Sequence, residues 1–319
     1  MKEKLFIVVP CYNEEEVLPE TTRRLKEKIL SLKEQGKIGE GSRIVLVDDG
    51  SKDKTWAMIR ELHEKDPLFS GVKLSRNRGH QNALLAGLMT VKGEADVTIS
   101  MDADLQDDID AVDEMLDKYH EGCEIVYGVR SARKTDTFFK KSTAQGFYKI
   151  MSRLGVDVVY NHADYRLMSR RALEELEGFR EVNLFLRGIV PLIGFQTGVV
   201  TYERHERFAG ESKYPLKKML AFATEGITSM SIRPIRLIFS VGCLLFFLSL
   251  IALLVFGIRC ICGYPDGLLT IAASLWTFGS LQLIAIGVVG EYVGKNYMET
   301  KARPKFIVET YLHAEDDND

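Results

Sequence analysis

The stretch Val97-Thr-Ile-Ser-Met-Asp-Ala-Asp104 decides the fold, because a short apolar run of strand type leads directly into two carboxylates. Similar β-branched runs lie on either side of it, and helical stretches separate them. The further strands are predicted at 5–9, 43–47, 72–74 and 124–128, and the helices at 15–33, 54–65 and 81–91. Short β-branched runs that alternate with helices predict a parallel, doubly wound α/β sheet.

Polar clusters follow three of these strands, at 10–14, 48–51 and 102–104. Ligands of such sheets bind at the carboxyl ends of the strands, so the clusters predict a nucleotide site. Helix capping is the alternative, by Asn13 for the first cluster and by Ser51 or Asp53 for the second. Capping leaves Asp48 and Asp49 without a structural task, which favours a role in binding a ribose or a base.

The third cluster has the chemistry of a divalent-cation site. Asp102 and Asp104 are one residue apart on a turn after a strand, and Gln106 can add a neutral oxygen. Mg²⁺ and Mn²⁺ prefer oxygen ligands and commonly take one or two carboxylates together with substrate phosphates. The pattern predicts a metal that neutralises a diphosphate leaving group, whereas an ordinary acidic surface loop is the alternative.

Composition excludes several classes of protein. The chain has 319 residues, a charged fraction of 27% and a net charge of −3, so it has no basic excess for a nucleic-acid partner. Its five cysteines are odd in number and lack metal spacing, which indicates thiols rather than disulfides. The first residues, MKEKLFIVVP, do not resemble a signal peptide, so we expect the first domain to stay in the cytoplasm.

Two C-terminal segments predict a membrane hairpin. Leu237–Ile258 and Leu268–Gly290 contain no charged residue, and a span needs roughly 20 apolar residues. Lysine and arginine flank the pair on its outer sides, at Arg233, Arg236, Lys295, Lys301, Arg303 and Lys305. The positive-inside rule then predicts that both flanks are cytoplasmic. A buried hairpin in a protein core is the alternative.

Three basic segments complete the pattern. Residues 138–154 and 214–222 mix aromatic with basic residues, which predicts amphipathic helices at the membrane interface or, alternatively, solvated helices packed on the core. Residues 204–214 carry arginine, lysine and glycine in a short loop that suits a phosphate clamp, the alternative being a solvated run of charge.

The ordered motifs resemble a known family. VVPCYNEE, VLVDDGSKDKT, the region from Asn77 to His80, SMDADLQD, GVRSARKTD, ADYRLMSR and ERFAGESKY occur in this order along essentially the whole chain. As a set they resemble the family-2 glycosyltransferases that act on polyprenyl phosphates, namely the bactoprenol glucosyltransferases and the dolichyl-phosphate mannosyltransferase-like enzymes.

The resemblance implies a GT-A catalytic fold, Rossmann-like with a mostly parallel sheet. With the hydropathy pattern, it predicts four parts. These are a cytoplasmic GT-A domain (1–213), a juxtamembrane amphipathic helix (214–234), two transmembrane helices (235–291) and a cytoplasmic tail (292–319).

The resemblance also implies roles for individual residues. For the nucleotide sugar it implies Pro10, Tyr12, Glu14, Asp49, Asp102, Ala103, Asp104, Arg130, Arg207 and Lys213. For the acceptor phosphate it implies Lys140 and Lys141, and for Mg²⁺ or Mn²⁺ it implies Asp102, Asp104 and Gln106. The catalytic residues would be Asp104, Asp164 and Arg207, with Asp164 either a base or a group that orients the sugar. Asn77, Arg78, His80 and Gln81 are expected near the donor.

The implied reaction is an inverting transfer of a hexose to polyprenyl (undecaprenyl) phosphate for cell-envelope glycosylation, at the bacterial inner membrane with both termini cytoplasmic. UDP-glucose or UDP-N-acetylglucosamine is the expected donor, and GDP-mannose is the alternative. A processive synthase is disfavoured because neither Trp56 nor Trp276 lies in a Gln-x-x-Arg-Trp motif. A non-catalytic nucleotide-sugar-binding partner of a flippase is a further alternative. The resemblance also implies a homo-oligomer, with a tetramer as one form, because the family often forms oligomers. Its further implied partners are a flippase and a lumenal or periplasmic glycosyltransferase.

Overall fold

The computed structural model describes residues 2–131, 162–182, 184–203 and 267–313, together with isolated helical positions between 235 and 258. The chain divides into two compact units. The first contains a β-sheet and the helices packed on it, and the second contains the long C-terminal helix.

The described elements alternate over the first 130 residues. The strands are β1 (Leu5–Cys11), β2 (Arg43–Asp48), β3 (Phe69–Leu74), β4 (Val97–Ser100), β5 (Ile125–Arg130), β6 (His162–Ser169), β7 (Thr197–Tyr202) and β8 (Val308–Leu312). The helices are α1 (Leu18–Glu34), α2 (Thr55–Lys65), α3 (His80–Val91), α4 (Ala111–His120), α5 (Arg170–Glu177), α6 (Leu186–Leu192) and α7 (Leu268–Lys301).

The eight strands form one sheet in the order β7-β5-β6-β4-β1-β2-β3-β8. β1 pairs in parallel with β2 and β4, and parallel pairs also join β2 to β3 and β5 to β7. The pairs that involve β6 and β8 are antiparallel. The predicted α/β architecture is therefore confirmed as a mostly parallel, mixed sheet.

Hydrophobic packing on both faces fixes the sheet. Every residue of β1 and β2 is buried, as expected for strands covered by helices on two sides. α1 buries one stripe, including Leu25, Ile29 and Leu32, against one face. α3 covers the other face, where a Cβ on Gly87 would come within 2.6 Å of side-chain atoms of Val8 and Val47. Close approach of α3 to the sheet therefore requires glycine at this position.

Three strands, β6, β7 and β8, were not predicted. β6 lies antiparallel between β4 and β5 and buries Asp164 and Arg166, so its sequence lacks the apolar run by which strands are recognised. β8 comes after α7 and pairs antiparallel with β3 at the sheet edge. The segment that follows the predicted membrane hairpin thus contributes a strand to the sheet of the first unit.

α7 contains the whole of the second predicted membrane segment and continues to Lys301. Within the part of the chain that the structure describes, no helix meets the length and hydropathy that a membrane crossing requires. The membrane hairpin stays a prediction. The first predicted span is described only at isolated helical positions, and the amphipathic segments 138–154 and 214–222 lie outside the described residues.

Candidate active site

The parallel strands β1, β2 and β4 are neighbours, so their carboxyl ends lie side by side at the same end of the sheet. Cys11 lies opposite Asp48 in the β1–β2 register, and Val8 lies opposite Ser100 in the β1–β4 register. The residues that follow these strands are therefore neighbours in space. The three polar clusters predicted from the sequence come together here.

The cluster after β1 is tied to the cluster after β2. Asn13, which has a φ of 53°, donates its backbone N–H to Ser51 Oγ at 3.0 Å, and its side-chain oxygen accepts the N–H of Lys52 at 2.9 Å. Asn13 therefore joins two loops and caps no helix. Tyr12 is 41% exposed beside it, which leaves its ring accessible for stacking, and Pro10 is buried within β1.

Asp49 holds the loop that precedes α3. Its carboxylate accepts the backbone N–H of Arg78 at 2.6 Å and that of Gly79 at 2.9 Å. Gly50, at φ 66°, lets the two loops approach, since a Cβ there would lie 2.6 Å from the backbone nitrogen of Asn77. Asp49 is 2% exposed, and burial raises its pKa although the two N–H groups oppose the shift.

Asp48 also has a structural task. One carboxylate oxygen accepts the N–H of Ser51 at 3.2 Å, and the other is buried with no hydrogen-bond partner among the described residues. Burial raises the pKa of Asp48. The idea that Asp48 and Asp49 are unnecessary for local structure is therefore wrong, and the binding role of Asp49 stays a prediction.

The cluster after β4 concentrates negative charge. Burial raises the pKa of Asp102 to about 6, and the nearby carboxylates of Asp107, Asp164 and Asp104 act in the same direction. His80 at the start of α3 opposes them, with its Nε2 3.4 Å from Asp102 Oδ1. An acidic group of this kind attracts a cation.

Local hydrogen bonds shape the loop that carries these acids. Asp104 Oδ1 accepts the N–H of Gln106 at 3.1 Å, and Leu105 between them has a φ of 57°. The carbonyl oxygen of buried Ala103 accepts the Thr21 hydroxyl at 2.7 Å, which ties the loop to α1. In the described ranges, no group of three or more His, Cys, Asp or Glu side chains has the arrangement of a metal site.

Two arginines hold Asp164. The Asp164 carboxylate accepts from Arg166 at 2.7 Å and from Arg187 of α6 at 3.1 Å. Burial alone would raise the pKa of Asp164, but the two guanidinium groups hold it well below its usual range. Its Oδ2 also lies 3.7 Å from His80 Nε2, so His80 stands between Asp102 and Asp164.

A second charged group lies on the other side of the same loop. Asp107 accepts hydrogen bonds from the Tyr202 hydroxyl and from Arg130, the latter at 3.2 Å. Burial alone would lower the pKa of Arg130, but Asp107 and Tyr202 outweigh it and raise the pKa above its usual value. Arg130 is therefore charged and fixed at the end of β5.

The structure brings together most of the predicted site residues that it describes. Lys140, Lys141, Arg207 and Lys213 lie outside the described residues, and their roles stay predictions. Sequence reasoning missed Arg187, Asp107 and Tyr202. Asp107 directly follows the predicted metal loop, but Arg187 and Tyr202 reach the site only through folding, and no local pattern distinguishes them.

An α/β sheet with acids grouped at the carboxyl ends of its parallel strands defines a class of nucleotide-binding enzymes. A family model narrows the class, since the model described as Glycosyl transferase family 2 matches residues 6–177. The match covers more than half of the chain, and the chain therefore belongs to glycosyl transferase family 2 and is an enzyme. The resemblance drawn from the motifs is confirmed.

Curated relatives match nearly the whole chain. An uncharacterised glycosyltransferase of Bacillus subtilis, YkoT, is 54% identical over 98% of this chain and 93% of its own length. The bactoprenol glucosyl transferase of Shigella phage SfX is 39% identical over 96% of this chain and 99% of its own. A prophage bactoprenol glucosyl transferase homolog of Escherichia coli is 37% identical over 96% and 98%.

Among solved structures, the chain is similar to glucosyl-3-phosphoglycerate synthase of Mycobacterium tuberculosis, in complex with Mn²⁺ and UDP-glucose. The TM-score is 0.45 at 18% identity, with 71% of this chain and 78% of that one covered. A mannosyltransferase of Pyrobaculum calidifontis gives a TM-score of 0.45 at 16% identity, covering 92% and 88%. Likeness at these scores supports no inference about ligands or residues.

Proposed function

We propose that the chain transfers a hexose from a nucleotide sugar to polyprenyl phosphate at the cytoplasmic face of a bacterial inner membrane. UDP-glucose and UDP-N-acetylglucosamine are the proposed donors, and the product is a lipid-phosphate-linked sugar for the cell envelope. One observation carries the proposal. Relatives named bactoprenol glucosyl transferase match this chain over 96% of its length, so the likeness extends well beyond the residues of the family model.

The donor end of the reaction needs a group that neutralises a diphosphate. Asp102 and Asp104 fit a hard divalent cation, because two carboxylates one residue apart offer oxygen ligands and the carboxylates of Asp107 and Asp164 lie close to them. Gln106 can supply a neutral oxygen. A bound Mg²⁺ or Mn²⁺ would stabilise the negative charge of the departing nucleoside diphosphate. Two protein carboxylates suffice where substrate phosphates complete the ligand set.

The acceptor end needs little help from the protein. A phosphate monoester is anionic at neutral pH, so its oxygen attacks the anomeric carbon while the bond from that carbon to the diphosphate oxygen breaks. No proton has to be removed, and a single displacement inverts the anomeric centre. Catalysis then rests on positioning and on charge stabilisation.

Asp164 suits orientation better than proton abstraction. Its lowered pKa and its bonds to Arg166 and Arg187 make it a weak base held in one position. A fixed carboxylate of this kind accepts a hydrogen bond from a sugar hydroxyl. Both observations support a sugar-orienting role for Asp164 rather than that of a base.

Membrane attachment of the enzyme is part of the proposal. Large apolar side chains on α7 are exposed, with Leu275 at 73%, Leu283 at 71% and Ile286 at 66%. An apolar helix surface of this extent supports burial in lipid or against a partner. A reporter fused after Asp319 should be active only in its cytoplasmic form, and a periplasmic signal would contradict the proposed topology.

The transfer reaction is tested with purified full-length enzyme in detergent, Mn²⁺ and a short polyprenyl phosphate. UDP-glucose, UDP-N-acetylglucosamine and GDP-mannose are supplied separately, and the lipid product is identified by mass. We expect a glycosyl-phosphate lipid from one of the UDP-sugars. A product from GDP-mannose alone would overturn the proposed donor, and no lipid product from any of the three would overturn the proposed acceptor.

A further inference from the structure

Arg130 and Tyr202 both donate to one carboxylate oxygen of Asp107. Asp107 lies in the loop from Met101 to Asp110, which carries the predicted metal ligands and is called the metal loop below. The Tyr202 hydroxyl donates to Asp107 Oδ1, the same oxygen accepts from Arg130 at 3.2 Å, and Arg130 Nε donates to the Tyr202 hydroxyl at 3.2 Å. The three contacts close a triangle. We call these three residues the Tyr202 triad.

Asp107 and Tyr202 of the triad are buried, whereas the positively charged Arg130 is partly accessible to solvent. Asp107 is 2% exposed and Tyr202 is 4% exposed, whereas the Arg130 side chain is 23% exposed. Burial raises the pKa of Tyr202 well above its usual range, with Asp107 acting in the same direction, so the hydroxyl keeps its proton. The protonated hydroxyl therefore donates to Asp107.

The triad lies within electrostatic reach of the predicted metal acids. Asp107 directly follows Gln106 in the chain, and its carboxylate accepts a hydrogen bond from Arg130 at 3.2 Å. Arg130 is thus a fixed cation beside the site at which a diphosphate would carry its negative charge. The Tyr202 hydroxyl accepts the Nε hydrogen bond and Asp107 accepts from a terminal nitrogen, so these two contacts help to set the direction of the guanidinium.

Backbone pairing between β5 and β7 also holds Arg130 and Tyr202 of the triad next to each other. Arg130 and Tyr202 are register partners in β5 and β7, and the N–H of Ser131 donates to the Tyr202 carbonyl oxygen at 2.8 Å. Asp107 brings the metal loop to the same point. The side-chain triangle therefore links the ends of two strands to the loop that carries Asp104.

We infer that Tyr202 is a positioning residue of the transfer reaction, whose hydroxyl holds Arg130 against the donor diphosphate. Without the hydroxyl, Asp107 loses a donor while its other oxygen is already buried and lacks a hydrogen-bond partner among the described residues. A buried carboxylate in that position draws the nearest cation toward itself. Arg130 then turns onto Asp107 and away from the diphosphate, and a misplacement of about 1 Å can cost on the order of 10²-fold in rate.

The chain contains a matched control for this inference. Tyr165 packs edge-on against Tyr202 with ring centroids 5.2 Å apart, and its hydroxyl donates to the Asp108 carbonyl oxygen at 2.9 Å. Tyr202→Phe and Tyr165→Phe therefore each remove one hydroxyl from the same aromatic pair. Each of these hydroxyls donates to a residue of the same loop, Asp107 or Asp108. Only the first removes a contact with Arg130.

The experiment compares these two variants, Arg130→Lys, and the double variant of Tyr202→Phe with Arg130→Lys. kcat for transfer, the melting temperature, and the Kd of UDP with Mn²⁺ are measured on full-length enzyme. We expect Tyr202→Phe to lower kcat by about tenfold or more and to raise the Kd, while Tyr165→Phe stays within about twofold. The double variant should be no slower than Arg130→Lys, since Tyr202 acts through Arg130.

Equal losses in the two phenylalanine variants would overturn the inference, as would additive losses in the double variant. If Tyr202→Phe does not fold, Asp107→Asn replaces it under the same criteria. The inference rests on the proposed function, but the two fail separately. Tyr202-dependent binding of UDP without transfer to polyprenyl phosphate would refute the proposed acceptor alone, and transfer that is indifferent to Tyr202 would refute the triad alone.

Discussion

Two acidic regions lie at the same edge of the sheet, and they differ in what balances their charge. After β2, the Asp49 carboxylate accepts backbone N–H groups of the loop before α3. After β4, Asp102 is surrounded by further carboxylates, and side-chain cations oppose them. Backbone donors are supplied by the fold itself, whereas an excess of carboxylates suits a cationic ligand. We propose that the first region builds the site and that the second holds the cation at the donor diphosphate.

The largest expected effect falls on the second region. Asp104→Asn should lower kcat on the order of 10²–10³-fold, because it removes a charge that we propose to hold the cation at the leaving diphosphate. The melting temperature should change little. Asp110→Asn is the control, since Asp110 lies on the same loop with its side chain 87% exposed. Near-normal turnover of Asp104→Asn at saturating Mn²⁺ would remove Asp104 from the metal site.

The first region should respond in stability instead. Asp49→Asn places an amide group against the N–H of Arg78 or Gly79, and an unsatisfied buried donor costs about 1–3 kcal/mol. The free energy of unfolding should fall by that amount, and the KM for the donor should rise as the loop loosens. Denaturant unfolding measures the first quantity. An unchanged free energy of unfolding with a lost kcat would mean that Asp49, like Asp104, acts in the reaction.

Arg187 lies on α6 and neutralises the charge of Asp164. We expect its replacement to affect both turnover and stability. Arg187→Met should slow turnover on the order of tenfold, since Asp164 loses one of the two groups that fix its position. Arg60→Met is the control, as Arg60 is exposed on α2. The lowered pKa of Asp164 stabilises the fold above a pH of about 4, and this stability is lost as the pH falls. The stability difference between wild type and variant should therefore shrink in acid.

The smallest effect concerns Asp102, whose pKa is raised to about 6 from roughly 3.9 in the unfolded chain. A raised pKa means that ionisation weakens the fold, so stability is lost as the pH rises from about 4 through 6. Without metal, Asp102→Asn should therefore gain melting temperature relative to wild type over this interval. Mn²⁺ should raise the melting temperature of wild type only. If the melting temperatures of the two proteins change in parallel with pH, the pKa of Asp102 is not raised in the folded protein.

Much of the first half of the molecule could be predicted from the sequence. β1 to β5 and the first three helices follow from β-branched runs and helical periodicity, because packing on both faces of a parallel sheet makes its strands uniformly apolar. The carboxyl ends of those strands then place the acids. The backbone N–H partners of Asp49 could not be predicted, because they belong to a loop about thirty residues away and no local pattern indicates them.

The strand β6 and the contacts of Arg187 and Tyr202, all in the second half of the chain, could not be predicted from the sequence, for a physical reason. β6 carries Asp164 and Arg166 into the interior as a pair, so burial there is stabilised by charge compensation rather than by apolar surface. Its hydropathy pattern therefore predicts no strand. The contacts of Arg187 and Tyr202 join residues that are distant in sequence, and only the folded sheet brings them to Asp164 and Asp107.

The most direct test of the difference between the two regions is calorimetric binding of UDP with and without Mn²⁺. The proteins compared are wild type, Asp104→Asn and Asp49→Asn. If the second region holds the cation and the first only builds the site, Mn²⁺ should strengthen UDP binding in wild type and in Asp49→Asn, and Asp104→Asn should lose that increment. An Mn²⁺ increment that survives in Asp104→Asn but vanishes in Asp49→Asn would reverse the roles assigned to the two regions.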